Sequence, residues 1–73
     1  MSSVRDVTIN EEPIKLGQFL KLAGLADDGS HARVLLEAGD VTVNGEPEHR
    51  RGRQLRGGDV VAIEAERARV VLA

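Results

Sequence analysis

The clearest helical pattern in the chain begins near Ile14. Four apolar residues follow the i, i+3, i+4, i+7 spacing of one helical face, namely Leu16, Phe19, Leu20 and Ala23. Gly24 is placed to end this helix in the left-handed conformation. The polar residues of the same segment lie on the other side of the helix and include no acid: Lys15, Gln18 and Lys21. The exposed side of this helix is therefore predicted to be basic.

A second segment repeats the helical spacing at Ala32, Leu35, Leu36 and Gly39. Asp28 or Ser30 can cap its start by accepting hydrogen bonds from free backbone N–H groups, and Gly39 can end it. Val34 and Ala38 form a second apolar flank. This flank predicts that the helix is covered from two sides, by the first helix and by a sheet.

Alternating and turn patterns predict strands around the two helices. Residues 4–9, "VRDVTI", form a short strand that could lie at a sheet edge. In "VTVNGEPE", Asn44 and Gly45 tolerate the positive φ angles of a two-residue type I′ turn, which predicts a hairpin. Pro47 restricts the return strand to an edge or shortens it, because proline cannot donate a ladder hydrogen bond.

The last third of the chain predicts a loop and a second hairpin. A turn at "RGGD" precedes the strand-like run "VVAIEA", and a turn at "ERA" would allow residues 69–72 to form a final strand. The layout is therefore strand, helix, helix, hairpin, loop, hairpin. Its 73 residues are enough for one domain, which we take to span residues 1–73.

Composition limits the core and the cell compartment. A chain this short buries only about 60% of the surface that it exposes when unfolded. With one Phe and no Trp or Tyr, the core must consist of Leu, Val, Ile and Ala, and aromatic stacking on bases is nearly excluded. The absence of cysteine excludes disulfides and thiolate zinc sites. No apolar run approaches the roughly 20 residues of a membrane span, so we expect a soluble, cytoplasmic protein.

The sequence offers little for catalysis or for a cofactor. Ser30 and His31 are adjacent, so a helix would direct their side chains about 100° apart rather than toward one proton. Two histidines without cysteine make a weak metal site. The "RGGD" turn lacks the lysine and the hydroxyl of a phosphate-binding loop. We therefore expect no enzymatic activity and no cofactor.

The positive charge is concentrated in one segment of an otherwise acidic chain. The net charge is −2, but "HRRGRQLR" carries four arginines and no acid: Arg50, Arg51, Arg53 and Arg56. Such a segment can be a solvated loop whose long side chains cover apolar surface. Lysine would serve solubility equally well, however, and arginine favours two-pronged bonding to phosphate. We favour phosphate binding.

Arg33 allows two interpretations. It is placed in the first turn of the second helix, where the helix dipole disfavours a cation. Arg33 could form a surface ion pair with Glu37, although that order along a helix is the poorer one. Alternatively, Arg33 and the free N–H groups could form an anion site, with Lys15 or Lys21 close by. The sequence leaves both interpretations open.

Residues 14–63 resemble a known family. The order "IKLGQFLKLAGLADDGSHARVLLEAGDVTVNGE", followed by the arginine stretch and "LRGGDVV", resembles the S-four-type RNA-binding domain, also called the αL motif. It looks closest to the stand-alone bacterial YbcJ-like proteins. The resemblance implies an α+β fold in which two helices pack on a small, mostly antiparallel sheet, with RNA phosphates bound along one face.

The resemblance also assigns roles to individual positions. Several residues match basic or small polar positions of the family or its hairpin tip: Lys15, Ser30, Arg33, Asn44, Gly45, Arg50, Arg51 and Arg53. Two positions depart from it. Many members have an acid where this chain has Gly17, and an arginine where it has Gly29. The second departure removes one expected phosphate contact.

Together these observations predict a non-catalytic protein that grips the phosphates of structured RNA. The predicted RNA-binding residues are Lys15, Lys21, Ser30, Arg33, Arg50, Arg51, Arg53 and Arg56. The expected partner is ribosomal RNA or tRNA, without a membrane, and the protein is expected to act as a monomer. The alternative is a protein-protein interaction module with a ubiquitin-like or small β-rich fold, since "VNGEP" and "GGDVVAI" are loosely similar to ubiquitin-like sulfur carriers.

Overall fold

A computed structural model describes residues 3–73, so Met1 and Ser2 of the predicted domain lie outside the described residues. The elements follow one another as β1 (Val4–Ile9), β2 (Ile14–Lys15), α1 (Leu16–Leu22), α2 (Gly29–Ala38), β3 (Val41–Val43), β4 (Glu46–Pro47), β5 (Gln54–Leu55), β6 (Val60–Ile63) and β7 (Glu66–Leu72). Five strands form a sheet in the order β1-β7-β6-β3-β4, and β2 pairs with β5 in a separate ribbon.

The strand pairing is antiparallel except between β1 and β7, which run parallel. The predicted α+β fold, with two helices on a small, mostly antiparallel sheet, is confirmed. Strands β1 and β4 are the two edges of the large sheet. Pro47 lies in β4, opposite Thr42. It thus occupies an edge strand, where the missing N–H costs the ladder least.

The first helix begins later than the periodicity suggests. Ile14 and Lys15 are extended and pair with Leu55 and Gln54. The N–H groups of Leu16 and Gly17 then donate to loop carbonyls rather than to a capping side chain. This long-range pairing, which no local pattern encodes, sets the start of α1 at Leu16.

The start of the second helix settles which residue caps it. The Asp28 carboxylate accepts a hydrogen bond from the His31 N–H at 2.8 Å, so Asp28 is the cap and Ser30 lies inside the helix. Because α2 begins at Gly29, Arg33 belongs to the second turn, and its predicted place in the first turn is wrong. The predicted left-handed residues after both helices, Gly24 and Gly39, have φ angles of 74° and 77°.

The prediction that α2 is covered on two sides is wrong. Ala32 and Leu36 are buried, but Val34 is 61% exposed and Ala38 is exposed. The physical reason is the size of the domain: the helices lie in a single layer over the sheet, so nothing within residues 3–73 covers the outer flank of α2.

The two hairpins differ in how visible their turns are in the sequence. Val43 pairs with Glu46, which leaves Asn44 and Gly45 as a two-residue turn with φ angles of 52° and 87°, as a type I′ turn requires. The second turn is shorter than expected. Ile63 pairs with Glu66, so β7 starts at Glu66 instead of residue 69. Glu64 has a φ of 54° in this turn. Glutamate rarely adopts a positive φ, so the sequence does not predict the turn at this position.

The core lies between the helices and the sheet. Its largest fully buried side chains come from both helices and from the strands: Phe19, Leu16, Leu20, Leu36, Leu55, Val41, Val61 and Val70. Apart from Phe19, these side chains are aliphatic, in agreement with the prediction. Glu48 is the buried charged residue of the described chain, with 7% of its surface exposed. Neither α1 nor α2 has the length and apolar character needed to cross a membrane.

Candidate nucleic-acid interface

A basic cleft, the first of two, lies between the two helices and residues 48–56, the arginine loop. Its volume is about 310 Å³, and it is lined by Lys15, Gly17, Gln18, Lys21, Gly29, Ala32, Arg51 and Gly52. Three of these residues are cations, and none of the described residues in the lining is acidic. The first cleft therefore has the charge of an anion-binding site.

Both helices contribute to the first cleft for reasons visible in their local structure. Gln18 and Lys21 are three residues apart on α1, away from the buried side that contains Phe19, and Lys15 precedes the helix at its N-cap position. Gly29 is the first residue of α2 and also lines the cleft. The positive end of the α2 dipole is thus at the cleft wall, where it favours an anion.

A second cleft adjoins the first through Arg51. It has a volume of about 250 Å³ and is lined by Arg33, Leu36, Glu37, His49 and Arg51. Arg51 is the residue that the two linings share. Arg33 therefore belongs to a different cleft from Lys15 and Lys21, with Arg51 as the residue common to the two groups.

Arg33 forms the ion pair considered from the sequence. Its Nε lies 2.9 Å from Oε1 of Glu37, and both side chains are mostly exposed. The hydrogen bond that Arg33 donates to Glu37 raises the pKa of the Arg33 guanidinium above its ordinary value. An exposed pair of this kind contributes little to stability, so Arg33 can exchange its carboxylate partner for a phosphate at small cost.

A buried acid organises the arginine loop. The Glu48 carboxylate accepts hydrogen bonds from the backbone N–H groups of His49 and Arg50, both at 3.1 Å. The Arg50 guanidinium donates to it at 3.0 and 3.1 Å, and Nη1 of Arg53 donates at 2.8 Å. These bonds hold the pKa of Glu48 well below its usual range and raise the pKa of Arg50. Arg50 and Arg53 are thus tied to Glu48.

Arg51 differs from its neighbours in the loop. Its side chain is exposed and makes no ion pair or side-chain hydrogen bond with any residue in 3–73. Its backbone is nevertheless fixed, because the Arg51 carbonyl accepts the Gly17 N–H at 3.0 Å. Arg51 therefore presents an uncompensated guanidinium on an anchored segment.

Four of the predicted site residues line neither cleft: Arg50 and Arg53, which bind Glu48, together with Ser30 and Arg56. Nη1 of Arg56 is 3.8 Å from Oε1 of Glu12, and the Arg56 N–H donates to Asp59 in the predicted turn. Ser30 is exposed in the first turn of α2 beside Gly29, and it lines neither cleft. The structure thus groups Lys15, Lys21 and Arg51 in one cleft and Arg33 and Arg51 in the other.

His31, which was considered with Ser30 for catalysis, has a structural role. Nδ1 of His31 accepts a hydrogen bond from the Asp27 N–H at 2.9 Å, while the His31 N–H donates to Asp28. His31 and Asp28 together satisfy backbone groups at the start of α2. Across residues 3–73, no group of three or more His, Asp or Glu side chains is arranged to hold a metal ion.

Sequence reasoning missed three residues that shape these clefts. The sequence places Glu48 directly ahead of the arginine-rich segment, but nothing in it indicates that this carboxylate is buried. Gly17 is a departure from the family pattern in the sequence, yet it lines the first cleft. His49 lines the second cleft, and its Nδ1 lies 3.0 Å from the Leu36 carbonyl oxygen. None of these roles has a local signal, because each depends on contacts between distant segments.

Comparisons with known proteins agree with one another. A family described as "S4 domain" matches residues 7–71. A probable ribosome maturation protein, RlbA of Bacillus subtilis strain 168, is 52% identical over 58 residues, which are 80% of this chain and 82% of that protein. The solution structure of YbcJ from E. coli, which revealed an αL motif involved in RNA binding, superposes with a TM-score of 0.72. YbcJ is 28% identical, and the match covers 97% of this chain and 91% of YbcJ.

Proposed function

We propose that this chain, which belongs to the S4 domain family, is an RNA-binding protein without catalytic activity. We take residues 1–73 to act as one domain and as a monomer. The proposal extends to this chain the RNA-binding role of the αL motif in YbcJ.

The proposed partner is a structured ribosomal RNA segment. The similarity to a probable ribosome maturation protein supports ribosomal RNA over tRNA, which the sequence left as equals. The covered share of both chains is large, so the similarity is not confined to one small segment of either protein. On this proposal the chain binds ribosomal RNA while ribosomes mature.

The observation that carries the proposal is the position of Arg51 between two concave sites. Arg51 lines one cleft together with Lys15, Lys21 and the start of α2, and it lines the other cleft together with Arg33. A phosphodiester backbone that crosses this boundary brings phosphates to both clefts, and arginine can bind phosphate with two parallel hydrogen bonds. Arg51 would then be the central contact.

Recognition by shape rather than by base sequence fits the residues present. Phe19 is fully buried and residues 3–73 contain no Trp or Tyr, so none of the large aromatic rings that usually stack on bases is available on the described surface. Cations and backbone groups instead suit phosphates and 2′-hydroxyl groups, which are the features by which folded RNA is recognised across its minor groove. We therefore propose that the RNA must be structured.

The remaining predicted residues would act around this centre. Arg50 is 73% exposed despite its bond to Glu48, so part of its guanidinium remains accessible for a phosphate. Arg53 is more covered, at 35% exposed, and its main proposed role is to hold the loop in shape. Ser30 and Arg56 are proposed as contacts at the margin, since they lie outside both clefts.

A salt titration with matched arginine variants tests this function. The wild type would be titrated with a structured ribosomal RNA fragment, a tRNA and a DNA duplex at several salt concentrations. Arg51→Ala should lower RNA affinity and reduce the log–log salt slope by about 0.7 to 0.9. Arg69→Ala is the control, because it removes the same charge from β7, where Arg69 pairs with Asp6 outside both clefts.

Three outcomes would overturn parts of the proposal. Absence of RNA binding at low salt would reject it and favour the protein-interaction alternative. Equal losses for Arg51→Ala and Arg69→Ala would show that total charge, rather than the clefts, drives binding. Tighter binding of tRNA than of every ribosomal fragment would reject the proposed partner while keeping the RNA-binding function.

A further inference from the structure

Gly17 and Arg51 are in unusually close contact. Gly17 lies buried in the first turn of α1. A Cβ atom built on Gly17 would stand 2.5 Å from Cγ of Arg51, 3.3 Å from its Cδ and 3.5 Å from its carbonyl oxygen. Real Cβ atoms essentially never approach a heavy atom within 3.0 Å. The stem of Arg51 therefore occupies the space that any side chain at position 17 would need.

The backbone of the arginine loop cannot easily move to relieve such a contact. The Gly17 N–H donates to the Arg51 carbonyl at 3.0 Å, and the Leu16 N–H donates to the Arg53 carbonyl at 2.7 Å. These bonds satisfy N–H groups at the start of α1, which has no side-chain cap. A shift of the loop would break them. A side chain at position 17 would therefore displace the Arg51 side chain.

The conformation of Gly17 gives no other reason for a glycine. Its φ lies outside the left-handed range, and its backbone is helical, a conformation in which alanine is the better helix former. Its position under the Arg51 stem is a sufficient physical reason for the missing side chain.

We propose that Gly17 is a positioning residue for RNA binding, because its lack of a side chain lets the Arg51 stem lie across α1 and places the guanidinium between the two clefts. This proposal rests on the proposed function and explains how the Arg51 side chain is positioned for it. Arg51 has no acidic partner within residues 3–73 to hold it, unlike Arg50 and Arg53. Packing of its stem on Gly17 is what directs it.

A double-mutant cycle between Gly17→Ala and Arg51→Ala tests the coupling. Gly17→Ala should weaken binding of the structured RNA about as much as Arg51→Ala, by up to about tenfold. In the Arg51→Ala background, Gly17→Ala should cause no further loss, because the displaced side chain is already absent. Independent, multiplicative losses would overturn the proposal, as would wild-type affinity of Gly17→Ala.

The control substitution is Gly29→Ala. Gly29 lines the same cleft and is helical, but nothing lies within 4 Å of a Cβ built on it. If a methyl group in the cleft were enough to obstruct RNA, Gly29→Ala would lose as much affinity as Gly17→Ala. That result would overturn the positioning role, whereas a clearly smaller loss for Gly29→Ala than for Gly17→Ala supports it.

Two measurements without RNA separate this inference from the proposed function. A nuclear Overhauser effect between Gly17 Hα and the Arg51 γ protons should appear in the free protein, and its absence would overturn the contact.

Gly17→Ala should lower thermal stability in the wild-type background but not in the Arg51→Ala background. This comparison is valid even if Gly17→Ala alone fails to fold. Equal destabilisation in both backgrounds would contradict the proposal, and failure of the wild type to bind RNA would reject the proposed function alone.

Discussion

The Glu48 carboxylate accepts a hydrogen bond from Nη1 of Arg53 at 2.8 Å, at the point where the first hairpin ends and the arginine loop begins. The Glu48 side chain is buried and also accepts hydrogen bonds from the guanidinium and from the backbone N–H of Arg50. An acid thus shapes the most basic segment of the chain. Arg51 lies between Arg50 and Arg53 in the sequence but does not bind Glu48, and it lines both clefts.

Removal of the Glu48 carboxylate should destabilise the fold. Glu48→Ala leaves the donors of Arg50, Arg53 and the loop backbone without their acceptor, which we expect to lower the free energy of unfolding by about 1–3 kcal/mol. Urea denaturation would measure the change. Glu46→Ala, at an exposed position of β4, is the matched control and should have a much smaller effect. Similar losses for the two variants would contradict the role assigned to Glu48.

The same carboxylate should make stability depend on pH in the acid range. Hydrogen bonds from Arg50 and Arg53 lower the pKa of Glu48 in the folded state, whereas the unfolded carboxyl titrates near about 4.3. Its contribution is therefore complete above about pH 5 and is lost as the pH falls from the unfolded value toward the lowered folded value. The Tm difference between wild type and Glu48→Gln should be constant near neutral pH and shrink below about pH 4. A difference that stays constant down to about pH 2 would contradict the lowered pKa.

The turn at Asn44 and Gly45 should be sensitive to a β-branched residue. Gly45 has a φ of 87°, so Gly45→Val should lower the free energy of unfolding by about 1–2 kcal/mol. Gly52→Val is the matched control in another loop, because Gly52 has no positive φ and nothing lies within 4 Å of its Cβ position. Thermal unfolding of the two variants would compare them. Equal stability of both variants would show that the conformation of Gly45 does not limit the hairpin.

Neutralising Glu37 should strengthen RNA binding. Glu37 lines the second cleft and holds Arg33, so Glu37→Gln removes a charge that repels phosphate and releases the guanidinium. We expect about a twofold to fivefold gain in affinity, the range of an exposed ion pair. Stability should change little because both side chains are exposed. Glu46→Gln makes the same charge change outside both clefts, and an equal gain for it would assign the effect to net charge.

Local patterns in the sequence predicted the first strand, both helices and both hairpins, but not the ribbon of β2 and β5. The spacing of Leu16, Phe19 and Leu20 predicted the buried side of α1, and the same spacing placed Lys15 and Lys21 on its basic side. Asn44 and Gly45 predicted their turn because the required positive φ is a property of those two residues themselves. Each of these features depends on neighbours within a few positions in the chain.

The tertiary structure decided which charges are available. Four arginines in one segment look equivalent in the sequence, yet Arg50 and Arg53 bind Glu48, Arg56 lies near Glu12, and Arg51 is left without an ionic partner among residues 3–73. The start of α1 and the contact between Gly17 and Arg51 likewise come from the pairing of β2 with β5. The physical reason is range: periodicity and turn preference act along the chain, whereas burial, ion pairing and steric contact depend on which distant segments meet in space.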